Sequence, residues 1–173
     1  GDGEWTQNEE DGKEMQDIDT DIREKIGVVY DGDNFPGYWT AEQLSQVMEG
    51  IYTQWDHALF QKYLEDFHLP VKQKIKNYSR GMTMKLAIAA ALSHHPQLLI
   101  LDEATSGLDP VMRDEMLDVF LEFVQEESHS ILLSSHITSD LEKVADYITF
   151  IHNGKLIMTV SKNDLVYHYA VMR

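Results

Sequence analysis

The 173-residue chain has no cysteine, only four prolines, and 14 basic against 30 acidic residues, which gives a net charge of −16. The lack of cysteine excludes disulfides and thiolate metal sites. The shortage of basic residues argues against a nucleic-acid-binding protein and against direct docking on anionic lipid. No apolar run approaches the ~18 residues that span a membrane, so we expect no direct membrane insertion. The first residues are polar and acidic, unlike a signal peptide, and a cytoplasmic protein is the expectation.

The acidic residues are concentrated at the start of the chain. Residues 1–24 contain ten acids and two bases, whereas the whole chain is 43% apolar. This segment is predicted to be solvated and poorly ordered, and the remainder to form one globular domain.

The first half of the ordered region alternates between strand and helix patterns. Residues 26–30 form a short apolar run that predicts a buried strand, and residues 31–37 are rich in turn residues. Apolar residues recur at helical spacing over 40–68. Residues 81–93 are rich in alanine and predict a buried helix, and the continuous apolar run 98–101 predicts a strand covered on both faces.

The second half continues the alternation. Asp109-Pro110 predicts the start of a helix, because aspartate is a good N-cap and proline suits the first helical position. The core stripe expected for that helix consists of Met116, Leu117, Phe120, Leu121 and Val124. Residues 131–133 predict another buried strand.

Three local signals follow it. Ser139 and Glu142 have the spacing of a capping box, Asn153-Gly154 predicts a hairpin between residues 147–151 and 156–158, and Ser161 with Asp164 predicts a helix cap. Strands that alternate with helices indicate an α/β fold with a parallel sheet.

The segment 98–109, LLILDEATSGLD, carries the clearest chemistry. Asp102 and Glu103 stand at the C-terminal end of a predicted strand, the sheet edge where α/β proteins bind ligands. One carboxylate there could hold Mg²⁺ through water while the other faces a reacting water. A strand that merely ends in two acids before a turn is an equally good interpretation of this pattern alone.

Two further motifs give the segment a family resemblance. Residues 98–109 resemble the Walker B strand and D-loop of ATP-binding cassette (ABC) ATPases, residues 78–82 (Tyr-Ser-Arg-Gly-Met) resemble the signature motif, and residues 134–136 (Ser-Ser-His) resemble the switch histidine. The motifs occur in the family's order, and the resemblance runs from about Ile26 to about Ser161. It implies a P-loop NTPase-like parallel sheet with flanking helices and a small helical subdomain.

The resemblance implies roles for residues at the ATP site. Asp102 corresponds to the Mg²⁺-associated aspartate, Glu103 to the catalytic glutamate, and His136 to the histidine that senses the γ-phosphate. Asp31 occupies the Q-loop position. Four further histidines are interpreted as satisfied loop residues: His94, His95, His129 and His152.

The signature and D-loop residues are implied to face a second subunit. Ser79 and Gly81 lie where the alanine-rich helix begins, and a helix N-terminus offers N–H donors to phosphate. For Ser79 alone, a simple N-cap is the alternative. Asp109 corresponds to the D-loop aspartate at the dimer interface and is also predicted to cap its helix.

The sequence departs from the family pattern at four of these positions. Arg80 and Met82 replace a glycine and a glutamine of the signature motif, and Ala104 replaces a proline. Asp31 replaces the Q-loop glutamine, and an ordinary Asp-Gly turn is an equally good interpretation of it.

A phosphate-binding loop, G-x-x-x-x-G-K-[ST], does not occur in the 173 residues. The pairs Gly12-Lys13 and Gly154-Lys155 lack the rest of the motif. By resemblance the loop would lie before Gly1, with residues 1–25 belonging to a small antiparallel layer, residues 38–77 to the helical subdomain and residues 78–173 to the signature helix and core. We therefore expect the isolated chain to be inactive.

Aromatic residues are frequent over 35–67, the region that meets the membrane permease in the family. Three rings are expected to pack in the subdomain core: Phe60, Tyr63 and Phe67. Three others, beside a Pro-Gly turn, are expected to form an exposed docking patch: Phe35, Tyr38 and Trp39.

Taken together, the resemblance implies part of an ABC-type nucleotide-binding domain that uses ATP and Mg²⁺ in a head-to-tail dimer coupled to an exporter. The alternative is a non-hydrolysing module that offers its signature face to a complete subunit. A calcium-binding protein is a third hypothesis, prompted by Asp31-Gly-Asp33-Asn34. An EF-hand loop needs glycine at its sixth position, and Pro36 stands there.

Overall fold

The computed structural model describes residues 20–169. The strands are β1 (Ile26–Tyr30), β2 (Leu98–Asp102), β3 (Ser130–Ser134), β4 (Tyr147–His152) and β5 (Lys155–Ser161). After a helical segment at residues 20–25, the helices are α1 (Ala41–Ile51), α2 (His57–Asp66), α3 (Arg80–Leu92), α4 (Pro110–Phe123), α5 (Thr138–Val144) and α6 (Lys162–Tyr169), with a short 3₁₀ helix at Ile75–Asn77.

Strands β1, β2 and β3 form a parallel sheet in that order, and β4 pairs with β5 in a separate antiparallel hairpin. The register places Tyr30, Asp102 and Ser134 side by side at the C-terminal edge of the sheet. Helix α3 packs against β1, as expected for helices that cover a parallel sheet. The predicted α/β fold with a parallel sheet is confirmed.

Only the end of the acidic N-terminal segment lies within the described residues. Residues 1–19 of the predicted acidic, poorly ordered segment lie outside the described residues. Residues 20–25 are helical, which differs from the low order expected for them. The Glu24 carboxylate accepts a 2.7 Å hydrogen bond from the Thr53 N–H and ties this helix to the turn after α1.

The helical pattern over residues 40–68 forms two helices rather than one continuous stretch. Thr40 and Gln43 make a capping box that starts α1. The Asp56 side chain accepts the Leu59 N–H at 2.8 Å and starts α2. Residues 52–56 separate the two helices, because the Asp56 side chain caps a new helix instead of α1 continuing.

Two of the three local signals at the C-terminal end are confirmed. Asn153 and Gly154, with φ of 48° and 71°, close the β4–β5 hairpin, and Ser161 Oγ accepts the Asp164 N–H at 3.1 Å. The Ser139 capping box is wrong. Helix α5 begins two residues earlier than that box requires, with Ile137 at the N-cap and no capping side chain.

The expected core residues are mostly buried. Phe60 and Phe67 are buried and Tyr63 is half-buried against the core. In α4 the predicted core residues Met116, Leu117 and Phe120 are buried, whereas Val124 is exposed because it lies at the C-cap. None of the helices within residues 20–169 is long and apolar enough to cross a membrane.

The predicted exposed aromatic patch is only partly correct. Tyr38 is 67% exposed, but Phe35 and Trp39 are half-buried and pack against the core. The backbone explains this, because the Ile75 N–H donates to Trp39 O at 2.8 Å and the Lys76 N–H to Gly37 O at 2.8 Å, which draws the turn onto the 3₁₀ helix.

Candidate active site

Polar side chains follow all three parallel strands at one edge of the sheet. Because Tyr30, Asp102 and Ser134 are in register, the residues that follow them are neighbours. The Asp31 N–H donates to Asp102 O at 3.0 Å, and the Glu103 N–H donates to Ser134 O at 3.1 Å. The predicted site residues Asp31, Asp102 and Glu103 are thereby brought to the same edge.

Ser134 organises the two acidic residues. Its hydroxyl donates to Asp102 Oδ1 at 2.5 Å and accepts the Glu103 N–H at 3.1 Å. The hydroxyl therefore fixes the Asp102 carboxylate and the Glu103 backbone together. Sequence reasoning placed Ser134 in the Ser-Ser-His motif without a function for its side chain. The sequence contained one signal for this role, because two neighbouring strands both end in a polar residue.

Glu103 has an uncommon backbone conformation. Its φ of 51° lies in the left-handed region, which costs on the order of 1 kcal/mol for a residue with a side chain. In this conformation Glu103 Oε2 lies 2.8 Å from His136 Nδ1. Both side chains are accessible, at 33% and 70% exposure. A carboxylate and an imidazole in contact at an open sheet edge can together orient and deprotonate a water molecule.

The carboxylate of Asp102 suits a magnesium ion. It is exposed, supplies oxygen ligands, and is oriented by Ser134. Mg²⁺ is commonly held by one or two carboxylates together with water and substrate phosphates. Within residues 20–169 there is no group of three or more His, Asp or Glu side chains that would form an all-protein metal cage.

The start of α3 is built around Ser79. Its hydroxyl accepts the Met82 N–H at 3.2 Å, and its carbonyl accepts the Thr83 hydroxyl at 3.0 Å. Ser79 is therefore an N-cap, and its predicted contact with phosphate remains a prediction. Upstream, the Tyr78 hydroxyl donates to Pro70 O at 2.6 Å, and partial burial raises the pKa of this phenol.

Gly81 has a packing role that the sequence did not indicate. It is buried, and a Cβ added there would lie 2.4 Å from Met112 Sδ. The absence of a side chain at Gly81 therefore lets α3 pack closely on the start of α4. This does not replace the predicted backbone contact with phosphate, which stays a prediction.

Two of the departures from the family pattern contact each other. Arg80 Nη2 donates to Asp31 Oδ1 at 2.6 Å, with both side chains partly exposed. Arg80 and Asp31 join the start of α3 to the sheet edge and line one end of a cleft of about 870 Å³. The cleft lies between residues 31–37 and the start of α3.

Asp109 and the turn after β1 have structural roles in the fold. Asp109 Oδ1 accepts the Val111 and Met112 N–H groups at 3.0 Å each, which confirms its role as the cap of α4. Its place at a dimer interface remains a prediction. Asn34 closes the turn after β1, with Nδ2 donating to Tyr30 O and Gly32 O. Because this amide is used within the turn, residues 31–34 form an Asp-Gly turn rather than a calcium loop.

The four histidines taken as loop residues differ in their surroundings. His94 is 1% exposed, stacks on Tyr52 at 3.9 Å between ring centroids, and contacts Ile26 O through Nε2 at 3.0 Å. Burial lowers the pKa of His94. His94 is therefore a turn residue, as expected, but a buried one, while His152 is exposed.

Comparison with known proteins agrees with this arrangement. The family model described as "ABC transporter" matches residues 3–106. The bacitracin transport ATP-binding protein BcrA of Enterococcus faecalis is 34% identical over 134 residues, which cover 76% of this chain and 42% of that protein. The lantibiotic transport ATP-binding protein SrtF of Streptococcus pyogenes is 45% identical over 87 residues, which cover 50% of this chain and 38% of that protein. The chain thus spans less than half the length of these relatives.

Solved structures share the fold. An ATP-binding subunit of an ABC transporter superposes with a TM-score of 0.73 at 23% identity, covering 91% of this chain and 67% of that chain. A dimeric ATP-binding cassette bound to ADP and Pi superposes with a TM-score of 0.72 at 18% identity, covering 84% of this chain and 66% of that chain. Since the family model matches more than half of its residues, the chain belongs to the ABC transporter family.

Proposed function

We propose that this chain is part of an ATP-binding subunit that couples ATP hydrolysis to export across a membrane. The observation that carries the proposal is the contact of 2.8 Å between Glu103 and His136, next to Asp102 at the open edge of the sheet. The names of BcrA and SrtF, which describe bacitracin and lantibiotic transport, support a role in transport.

In this proposal the residues at the sheet edge have different roles in ATP hydrolysis. Asp102 would hold Mg²⁺ through water, which would supply positive charge to offset that of the phosphates. Glu103 takes the proton of the attacking water, and His136 orients the Glu103 carboxylate and meets the γ-phosphate. Asp31 faces the same site from the end of β1. Phosphoryl transfer to water needs mainly positioning and charge stabilisation, which fixed side chains can provide.

The start of α3 serves the nucleotide of a second subunit in a head-to-tail dimer. The backbone N–H groups near Ser79 and Gly81, with the positive end of the helix dipole, suit a phosphate. Asp109 lies at the same interface. Residues 38–77, which contain α1 and α2, form the helical subdomain, and residues 78–173 form the signature helix and core.

A membrane permease is the second proposed partner, through residues 35–67. Tyr38 supports this because it is 67% exposed on a turn whose other rings are half-buried. An exposed aromatic ring on an ordered backbone is a common anchor of protein interfaces. The chain would then be cytoplasmic and peripheral to the membrane, without a nucleic-acid partner.

A non-hydrolysing binding module is the alternative function for the 173-residue polypeptide. The pair Gly154-Lys155 lies where the β4–β5 turn enters β5 and not before a helix, so it is not a phosphate loop. Phosphate-loop amides and lysine supply most of the phosphate binding in P-loop enzymes. The polypeptide alone would then bind ATP-Mg poorly, yet it would still offer its signature face to a complete subunit.

Nucleotide-dependent recruitment tests both functions. The partner is BcrA of Enterococcus faecalis with its residue aligned to Glu103 changed to glutamine. It is titrated with the chain under ATP, ADP or no nucleotide, and association is followed by light scattering. We expect association only with ATP. Ser79→Arg should abolish association, because it places a bulky side chain where phosphate must enter, whereas Glu103→Gln should leave it nearly unchanged.

Calorimetry of the chain alone supplies the control. Micromolar affinity for ATP-Mg, or turnover that Glu103→Gln removes, would favour the complete enzyme over the binding module. Equal association in all three nucleotide conditions, or indifference to Ser79→Arg, would show that the start of α3 has only a structural role.

A further inference from the structure

The turn between β2 and α4, residues 104–109, has a buried side and an exposed side. Ala104, Thr105 and Leu108 are buried, whereas Gly107 is exposed. The Ser106 N–H donates to Glu103 O at 3.0 Å and the Leu108 N–H to Thr105 O at 3.3 Å. These two hydrogen bonds set the shape of the turn but do not attach it to another element.

A buried carboxylate from α5 makes that attachment. Asp140 is 1% exposed, and its Oδ2 accepts the Thr105 hydroxyl at 2.5 Å. Thr105 is also 1% exposed, so this hydrogen bond is shielded from water. A buried carboxylate without hydrogen-bond or ionic partners would strongly destabilise the fold. Asp140 therefore needs specific partners.

Arg113 completes the partner set from α4. Its Nη2 donates to Leu108 O at 3.1 Å, and its Nε lies 4.0 Å from Asp140 Oδ1. This Nε is buried and makes no hydrogen bond within residues 20–169. Asp140 and Arg113 therefore hold the two ends of the turn, at Thr105 and Leu108, and their opposite charges face each other.

The position of Asp140 in the chain links this turn to His136. Helix α5 begins two residues after His136, and the Asp140 N–H donates to Ile137 O at 3.2 Å. Asp140 lies in the first turn of α5, but its side chain contacts Thr105 instead of capping the helix. A purely local role as a helix cap is thereby excluded.

We propose that Asp140 is a positioning residue that, with Arg113, locks the 104–109 turn to the segment carrying His136. The Thr105–Asp140 hydrogen bond makes the shape of the turn depend on where α5 lies. The functional consequence rests on the proposed function, because it requires that the turn meet a second subunit. A shift of the His136 segment would then change the surface offered to that subunit.

The test measures amide hydrogen exchange of the full 173-residue chain. Asp140→Ala and Thr105→Val should each raise exchange at Ser106 and Leu108 by about tenfold relative to α3 amides, because each removes a hydrogen bond to a charged group. Thr105→Ser keeps the hydroxyl and should restore protection. Glu142→Gln, which removes a charge from the same helix without touching the turn, is the matched control.

A double variant separates positioning from general packing. If the two side chains act through one hydrogen bond, Asp140→Ala with Thr105→Val should exchange no faster at the turn than either single variant. Additive increases, or equal increases at the turn and in α3, would overturn the proposal. Thr105→Val keeps the test valid if Asp140→Ala does not fold.

The recruitment assay with BcrA tests the functional part. Asp140→Ala and Thr105→Val should weaken ATP-dependent association by about tenfold, while Thr105→Ser and Glu142→Gln leave it unchanged. Faster exchange at the turn with normal recruitment would overturn the link to the second subunit. If the unaltered chain is not recruited at all, the proposed function fails, and the exchange measurement alone then decides whether Asp140 locks the turn.

Discussion

The two faces of the parallel sheet carry similar residues in different surroundings. On one face Val29, Leu99 and Leu101 are 0–1% exposed beneath the helices. On the other face Val28 is 54% exposed and Leu132 is 63% exposed. Composition alone does not distinguish the faces, since both present aliphatic side chains along the strands. A continuous apolar run therefore indicates that both faces of a strand can be covered by other elements. It does not show that both faces are covered in a given polypeptide.

The covered face should account for far more of the stability than the open face. Leu101→Ala should lower the free energy of unfolding by about 3 kcal/mol, because it leaves a cavity in the core. Leu132→Ala removes the same atoms from a solvated position and should cost less than about 0.5 kcal/mol. Urea unfolding at low micromolar concentration measures both. Similar losses would mean that the open face is covered in the folded chain.

The open face should also promote association between copies of the chain. In the sheet of the described residues, β1 and β3 are both edge strands, so unpaired backbone groups border the exposed apolar side chains. Leu132→Lys should weaken self-association by about tenfold, since it places a charge where apolar area would be buried on association. Leu132→Met, which stays apolar, is the control. We expect this association despite the net charge of −16. Sedimentation equilibrium is the measurement, and an unaltered chain that stays monomeric at high micromolar concentration would contradict the expectation.

Features that depend on local sequence were predicted well. Asp109 as the cap of α4, the burial of α3, and the Asn153-Gly154 hairpin all follow from residues within one turn or one strand of each other. The family motifs likewise placed Asp102 and Glu103 at the sheet edge, because a strand end and the residues after it are adjacent in sequence.

Features that depend on distant contacts were missed or wrong. Arg80 and Asp31 are 49 residues apart, and Thr105 and Asp140 are 35 apart, so no local pattern indicates either pair. The Ser139 capping box matched the motif, but α5 starts where Asp140 can reach Thr105, and tertiary contact overrides local propensity. Gly81 was interpreted for phosphate approach, whereas its contact with Met112 becomes visible only when α3 and α4 are packed.

The smallest expected effect concerns His94, the buried polar residue next to the start of β1. Burial is the largest influence on its pKa and lowers it, while the Ile26 and Ala90 carbonyls and the Glu24 carboxylate act in the opposite direction. As pH falls below the ordinary histidine value of 6.5, the unfolded chain takes up a proton that the folded chain binds less readily. Stability should therefore fall on acidification through this range, and the contribution should vanish above about pH 7.5.

Urea midpoints at pH 7.5 and 5.5 isolate that contribution. His94→Gln should reduce the loss of stability between the two pH values, because glutamine does not titrate, while His152→Gln on the exposed hairpin should leave the loss unchanged. The comparison uses the difference between pH values for each variant, so a constant packing cost of His94→Gln cancels. An equal pH dependence in the unaltered chain and in His94→Gln would show that the ring is protonated as readily in the folded state as in the unfolded one. The covered side of the sheet would then be open to water at that point, and the contrast between the two faces would be weaker than their exposures indicate.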